Sequence, residues 1–421
     1  MDRLYHSPEQ FISDFRQILA EGKKRIGLLL GAGIAQAVRI PVEPTNEAGV
    51  CETKPILPMI SDLTLQVLSE LSEQSTCVRI VQDRLKVENP DREPTIEDVL
   101  SLARLLSKVL GRWEFERMGG GDFGKLAQNI CASIGKIVGV DLPPGQNAIT
   151  RLVTWIGGTP REHPVEIFTT NYDFLLEEAF ENASYPYFDG FSGNRWPFFD
   201  AASVAENNLP ARLTRLWKLH GSLGWQWYND RVVHGRGKDA AALIYPDHLK
   251  YELTSKMPYL ALFERLRAFL MTPDSVLVAC GFSFADAHVS SVIEEALAAN
   301  RHSAVFAFQF RQLKDEAAAT TLAKKRSNMS VLAYDGGVLH ATEANWKVGE
   351  PKNDHWSEIR QAFWGTRSEE GPPGLLLGDF GRFAGFLAAI NTRQSLPQQR
   401  PVHGPGEILA EPAPASDNTG R

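Results

Sequence analysis

Cysteine is scarce in this chain: four residues, at positions 51, 77, 131 and 280, with no Cys-x-x-Cys pair among them. A zinc ribbon needs such pairs, so the spacing argues against one. A long apolar run is also lacking. The longest, 26–35, is too short and too glycine-rich to span a bilayer, and the opening MDRLYHSPEQ has no signal-peptide core. Nor is there an excess of positive charge. A formal net charge of −7 gives no general attraction to nucleic acid or to an anionic membrane, so neither is expected as a partner. Few, unpaired cysteines and no export signal point to a reducing cytoplasm.

What is present is an alternation of short apolar runs and amphipathic stretches. Ser7, Pro8 and Gln10 read as the start of a first helix. "RIGLLLGAG" reads as a buried strand, 26–30, ending in a glycine turn. From 57 to 157 the periodicity is helical, and Thr95 with Asp98 marks one helix start. Strands are expected at 165–169, 215–219, 275–280, 303–308 and 329–334, with helices at 173–181, 257–271, 285–299 and 312–326. "LGWQWYNDRVVHG" reads as a hairpin turning at Asn229-Asp230.

Strands alternating with helices imply an α/β fold: a doubly wound, mostly parallel Rossmann-like sheet. Residues 1–41 and 158–390 would form that domain, 42–157 a mainly helical insertion, and the proline-rich 391–421 a disordered tail. A last amphipathic helix is expected at 379–390.

Ligands of an open parallel sheet bind beyond the carboxyl ends of its strands. Here those ends carry Gly31-Ala32-Gly33, Thr170-Asn171-Tyr172-Asp173, His220-Gly221-Ser222 and Gly281-Phe282-Ser283. Each has a plain structural reading. The glycines suit a tight turn, Asn171 and Asp173 suit a helix cap, His220 suits a core position, and Ser283 with Asp286 suits a second cap. Their convergence at four strand ends favours one ligand site. A glycine turn at a helix start offers backbone N–H groups to a pyrophosphate. Asp286 and His288 lack a third ligand at suitable spacing, so no metal is expected.

"GAG", "TTNYDFLLE", "KLHGSLGW" and "GFSFADAHVSSVIEEAL", in this order, resemble the sirtuin-like family, and specifically its zinc-less bacterial branch of NAD-consuming anti-phage defence proteins. "LLLGDFGRFAGFL" is similar to the family's closing helix. The resemblance implies that Gly31, Ala32 and Gly33 hold the pyrophosphate of NAD, with Thr170, Gly281 and Ser283 also in the cofactor-binding set. It implies that Asn171 orients the nicotinamide ribose and a water, that Asp173 braces that loop, and that His220 is the general base. NAD would then be a substrate, hydrolysed to nicotinamide and ADP-ribose.

The sequence departs from the family at Ala35, where a serine is usual, and at Arg39, where a glycine is usual. The Asp-Phe-Arg of protein deacetylases is replaced by Val42-Glu43-Pro44. A protein deacylase or ADP-ribosyltransferase is therefore disfavoured. The alternative is a module that senses NAD or ADP-ribose and regulates a partner without turnover. The resemblance further implies a ring-forming DNA-translocating ATPase or an Argonaute-like protein as partner. The wide apolar arc of "TIEDVLSLARLLSKVL" suggests a homo-oligomer.

Overall fold

The computed structural model describes residues 4–42, 52–90, 92–207, 209–229, 231–235, 257–350, 354–369 and 371–394. Its main sheet has ten strands. Numbered in chain order they are β1 (Tyr5–His6), β2 (Arg25–Leu30), β3 (Glu166–Thr169), β4 (Tyr187–Phe188), β5 (Thr214–Lys218), β6 (Ser275–Cys280), β7 (Ala304–Phe308), β8 (Met329–Leu332), β9 (Gly336–Leu339) and β10 (Thr342–Trp346). In space they run β1-β10-β9-β8-β7-β6-β2-β3-β5-β4. Pairing is parallel from β4 across to β8; β8, β9 and β10 are antiparallel, and β1 closes the edge parallel to β10.

The chain starts the large strands at β2, builds β3 and β5 on one side, and then returns to lay β6 on the other. That reversal makes the carboxyl ends of β2, β3 and β6 the switch point where a doubly wound sheet takes its ligand. The mostly parallel α/β architecture expected from the sequence is the one observed. What the sequence did not announce is the antiparallel edge β8–β10 and the two-residue β1 that pairs with it.

Burial explains why the central strands are apolar throughout. In β2, Leu28 and Leu30 enter one core cluster and Leu29 enters the other. In β6, Val276, Val278 and Cys280 face the first cluster while Leu277 and Ala279 face the second. Alternate side chains thus fill cores on both faces, the pattern of a sheet covered twice. The first core takes Phe15 from the helix Pro8–Ala20 and Phe383 from the helix Phe380–Gln394. The second takes Leu266 from Tyr259–Met271 and Ile293 from Ala287–Ala299.

Between β2 and β3 lie helices Ile60–Glu70, Ser75–Glu88, Ile96–Leu110 and Gly120–Val138, then Ala148–Gly158. Thr95 and Asp98 form the expected capping box, and the Ile96 N–H donates to Thr64 Oγ1 at 2.9 Å, joining two of the helices. On Ile96–Leu110 the residues Ile96, Val99, Leu100 and Ala103 are buried, Leu102, Leu105 and Leu106 are half-buried, and Val109 is exposed. The hairpin joins Trp225–Tyr228 to Arg231–His234 with Asn229 at φ +48°; Asp230 lies outside the described residues. Most of the stretch read as a tail, from 395 onward, also lies outside them. Among the described residues no helix is long and apolar enough to cross a membrane.

Candidate active site

The four strand ends meet. The turn after β2 and the turn after β6 are in backbone contact: Gly33 N–H donates to Gly281 O at 3.0 Å, and Gly31 N–H to Cys280 O at 3.4 Å. A Cβ at Gly31 would overlap Gly281 O, and one at Gly33 would stand 2.6 Å from Gly281 Cα. Gly281 has φ +69°, the region that favours glycine. The Gly-Ala-Gly signature therefore has a packing role of its own. Ile34 N–H and Ala35 N–H donate to Gly31 O and Ala32 O. Four of the amides around this turn are thus committed within the protein, while Ala32 itself is exposed.

The loop after β3 closes over this turn. Asn171 is buried, its N–H donates to Thr169 Oγ1 at 3.0 Å, and its Nδ2 donates to Gly31 O at 3.2 Å. Thr170 beside it is half-buried. Asp173 accepts from Leu175 N–H at 3.0 Å, so this carboxylate does settle the start of the helix Leu175–Asn182. Asn171 does not cap; its amide holds the β2 turn.

The loop after β5 is fastened to the loop after β3. Leu219 N–H donates to Thr169 O at 2.8 Å and Leu223 N–H to Tyr172 O at 2.9 Å. Lys218, buried at the end of β5, adds the strongest tie. Its ammonium contacts Glu177 Oε1 at 2.7 Å, donates to Ser222 Oγ at 3.1 Å and donates to the carbonyl of Asp173. One buried cation thereby joins the segment that carries Asn171 to the segment that carries His220.

Burial also sets the charges here. It raises the Asp173 carboxyl above its usual range, with Lys218 opposing the shift. Burial pushes Glu177 up to about 7, again against Lys218. The folded form therefore binds a proton that the unfolded chain has released between its ordinary pKa of 4.5 and about 7. This group's contribution to stability is full below that window and is lost as pH rises through it. Glu177→Gln is expected to remove that dependence, worth at most about 3 kcal/mol across the window. Denaturant melts of both proteins at pH 5 and pH 8 measure it; parallel pH dependence in the two would contradict it.

His220, buried at the end of β5, contacts Asp286 at 2.8 Å between Nε2 and Oδ2. Asp286 is the N-cap of the helix Ala287–Ala299, where Oδ1 accepts from His288 N–H at 2.9 Å and Val289 N–H at 3.2 Å. Two backbone donors and a helix N-terminus favour its ionised form. An ionised carboxylate at this distance orients the ring and favours the imidazolium that forms when the ring takes a proton. Between β5 and β6 stand β3 and β2, a separation of about 14 Å at ordinary strand spacing. The segment 281–286 therefore arches across the ends of β2 and β3 to reach His220.

Sequence reading placed Asp286 at a helix start, which is correct, and missed its pairing with His220. Lys218 and Glu177 were missed altogether. The available signal was a lysine in an otherwise apolar strand, "RLWKL", which must find a buried partner. Ser283 is exposed, and its Oγ accepts from Ala285 N–H at 3.4 Å, so Asp286 alone caps the following helix. Among the described residues no group of three His, Cys, Asp or Glu side chains could hold a metal ion.

Residues 165–330 match the family model of the SIR2-like domain. The matched span runs from the residue before β3 to within β8 and contains Asn171, Asp173, Lys218, His220, Gly281 and Asp286. The β2 turn and the last helix lie outside it. No curated protein gave a significant match to the chain. The match to the SIR2-like domain suggests NAD-related activity for this part of the sheet.

Proposed function

We propose that the protein hydrolyses NAD to nicotinamide and ADP-ribose, at the strand ends that carry Asn171 and His220. The observation that carries this reading is the His220–Asp286 pair, set beside the Asn171 loop at the switch point of a sheet whose matched half is SIR2-like. In the reaction the bond from C1′ to the nicotinamide nitrogen breaks, and its electron pair leaves with the neutral nicotinamide. Water adds to C1′ and gives up a proton. His220 accepts that proton, while Asp286 holds the ring in orientation and stabilises the imidazolium formed. The amide of Asn171 orients the ribose and the water. The resemblance further supports a role as an anti-phage effector that depletes NAD, as a homo-oligomer or with an ATPase or Argonaute-like partner.

Sensing of NAD or ADP-ribose without turnover is the second reading. It is favoured by the closed state of the site, in which Asn171 is held to Gly31 and His220 to Asp286. Release of nicotinamide from NAD by the purified protein separates the two.

Asn171→Ala supplies a finer test. Removing an amide that orients ribose and water is expected to cost about 3 kcal/mol of transition-state stabilisation, a loss of roughly a hundredfold in kcat. KM for NAD should change far less. A variant that only melts at lower temperature, with kcat intact, would make Asn171 a purely structural clamp on the β2 turn.

A further inference from the structure

A cavity of about 510 Å³ opens where three helix ends meet. Ala37 closes the short helix Gly33–Gln36 that follows the β2 turn, Asn147 caps Ala148–Gly158, and Asp379 precedes Phe380–Gln394. Arg39, Arg151 and Arg382 line it, against one carboxylate, that of Asp379. The whole chain has a net charge of −7, so three guanidinium groups around one hollow run against its overall balance.

The partners of these groups are informative. Among the described residues Arg39 binds neutral atoms, its Nε donating to Thr53 Oγ1 at 2.8 Å and a second nitrogen to the carbonyl of Thr53. Among the described residues the guanidinium groups of Arg151 and Arg382 have no ion pair or hydrogen bond; both residues are exposed and reachable. Asp379 already accepts from the Arg382 N–H at 3.0 Å. Asn147 Oδ1 accepts from Ile149 N–H and Thr150 N–H, each at 3.0 Å. Its Nδ2 is buried and has no partner among the described residues. Three guanidinium groups against one carboxylate, beside the starts of two long helices, call for negative charge.

We propose that this cavity binds a phosphorylated small molecule of the diphosphate class, as a site distinct from the strand-end crevice. The volume is that of a small-ligand site. Arginine forks match phosphate oxygens, and the two helix starts add their dipoles. Ala37 and Arg39 lie just beyond the short helix that begins at Gly33, so an occupant would fix the segment that follows the β2 turn. This goes beyond the hydrolase reading and does not require it.

Isothermal titration of the full chain with inorganic pyrophosphate tests it. One equivalent should bind, in a salt-sensitive manner. Arg151→Gln and Arg382→Gln should each weaken binding about tenfold or more, with unchanged melting temperature. Asn171→Ala, in the crevice, should bind as the wild type does. Absence of binding at millimolar pyrophosphate, equal binding by the arginine variants, or loss in Asn171→Ala alone would overturn the proposal. The titration reads no turnover of NAD, so its failure leaves the hydrolase reading standing, and the reverse holds as well.

Discussion

His220→Ala is expected to stay folded and to release nicotinamide about 10²- to 10⁴-fold more slowly than the wild type, the contribution of a positioned general base. The histidine sits at a strand end, with its Nε2 against Asp286 Oδ2. The other oxygen of Asp286 keeps both N–H groups of the helix start. The cost in stability includes that of one carboxylate oxygen losing its partner, about 1–3 kcal/mol. A melting curve and a nicotinamide assay on the same preparation check both halves. Wild-type turnover by folded His220→Ala would remove histidine from the chemistry.

Lys218→Met is expected to have the largest effect on stability. Lys218 is 2% exposed and is the cation beside Glu177, which is itself 9% exposed. Removing one member of a buried pair strands the other, at about 3–5 kcal/mol. Glu177 can escape by taking a proton, since burial already holds it at about 7. The deficit should therefore be near its full size at pH 8 and clearly smaller at pH 5. Replacing both members by apolar residues, Lys218→Met with Glu177→Leu, should recover much of the loss. Denaturant melts at the two pH values decide. A deficit that does not change with pH would mean that the lysine matters for its hydrogen bonds to Asp173 and Ser222, and not for its charge.

Much of this architecture is legible in the sequence because the central strands are buried on both faces. A run such as "RIGLLL" or "SVLVAC" announces a strand through apolarity alone, and the polar residues that follow mark its carboxyl end. That is why the sequence alone places Asn171, His220 and Gly281 at one rim. The antiparallel edge was hidden for the opposite reason. Gly336 and Gly337 begin a strand that propensity disfavours, and β1 is two residues long, held by its partner β10. Pairings were hidden too. His220 and Asp286 are 66 positions apart, and only the arch of 281–286 over β2 and β3 joins them. The glycines of the β2 turn show a further limit. Their spacing suggests a phosphate cradle, yet Gly31 and Gly33 are also required by the close approach of Gly281.

The central claim is that the strand ends around Asn171 and His220 cleave the bond between nicotinamide and ribose. Proton NMR of NAD, mixed with a stoichiometric amount of the purified full chain, tests it most directly. The account predicts free nicotinamide and ADP-ribose appearing in equal amounts, and NAD left intact by His220→Ala under the same conditions. Bound NAD that keeps its nicotinamide resonances unchanged over the same period would contradict it.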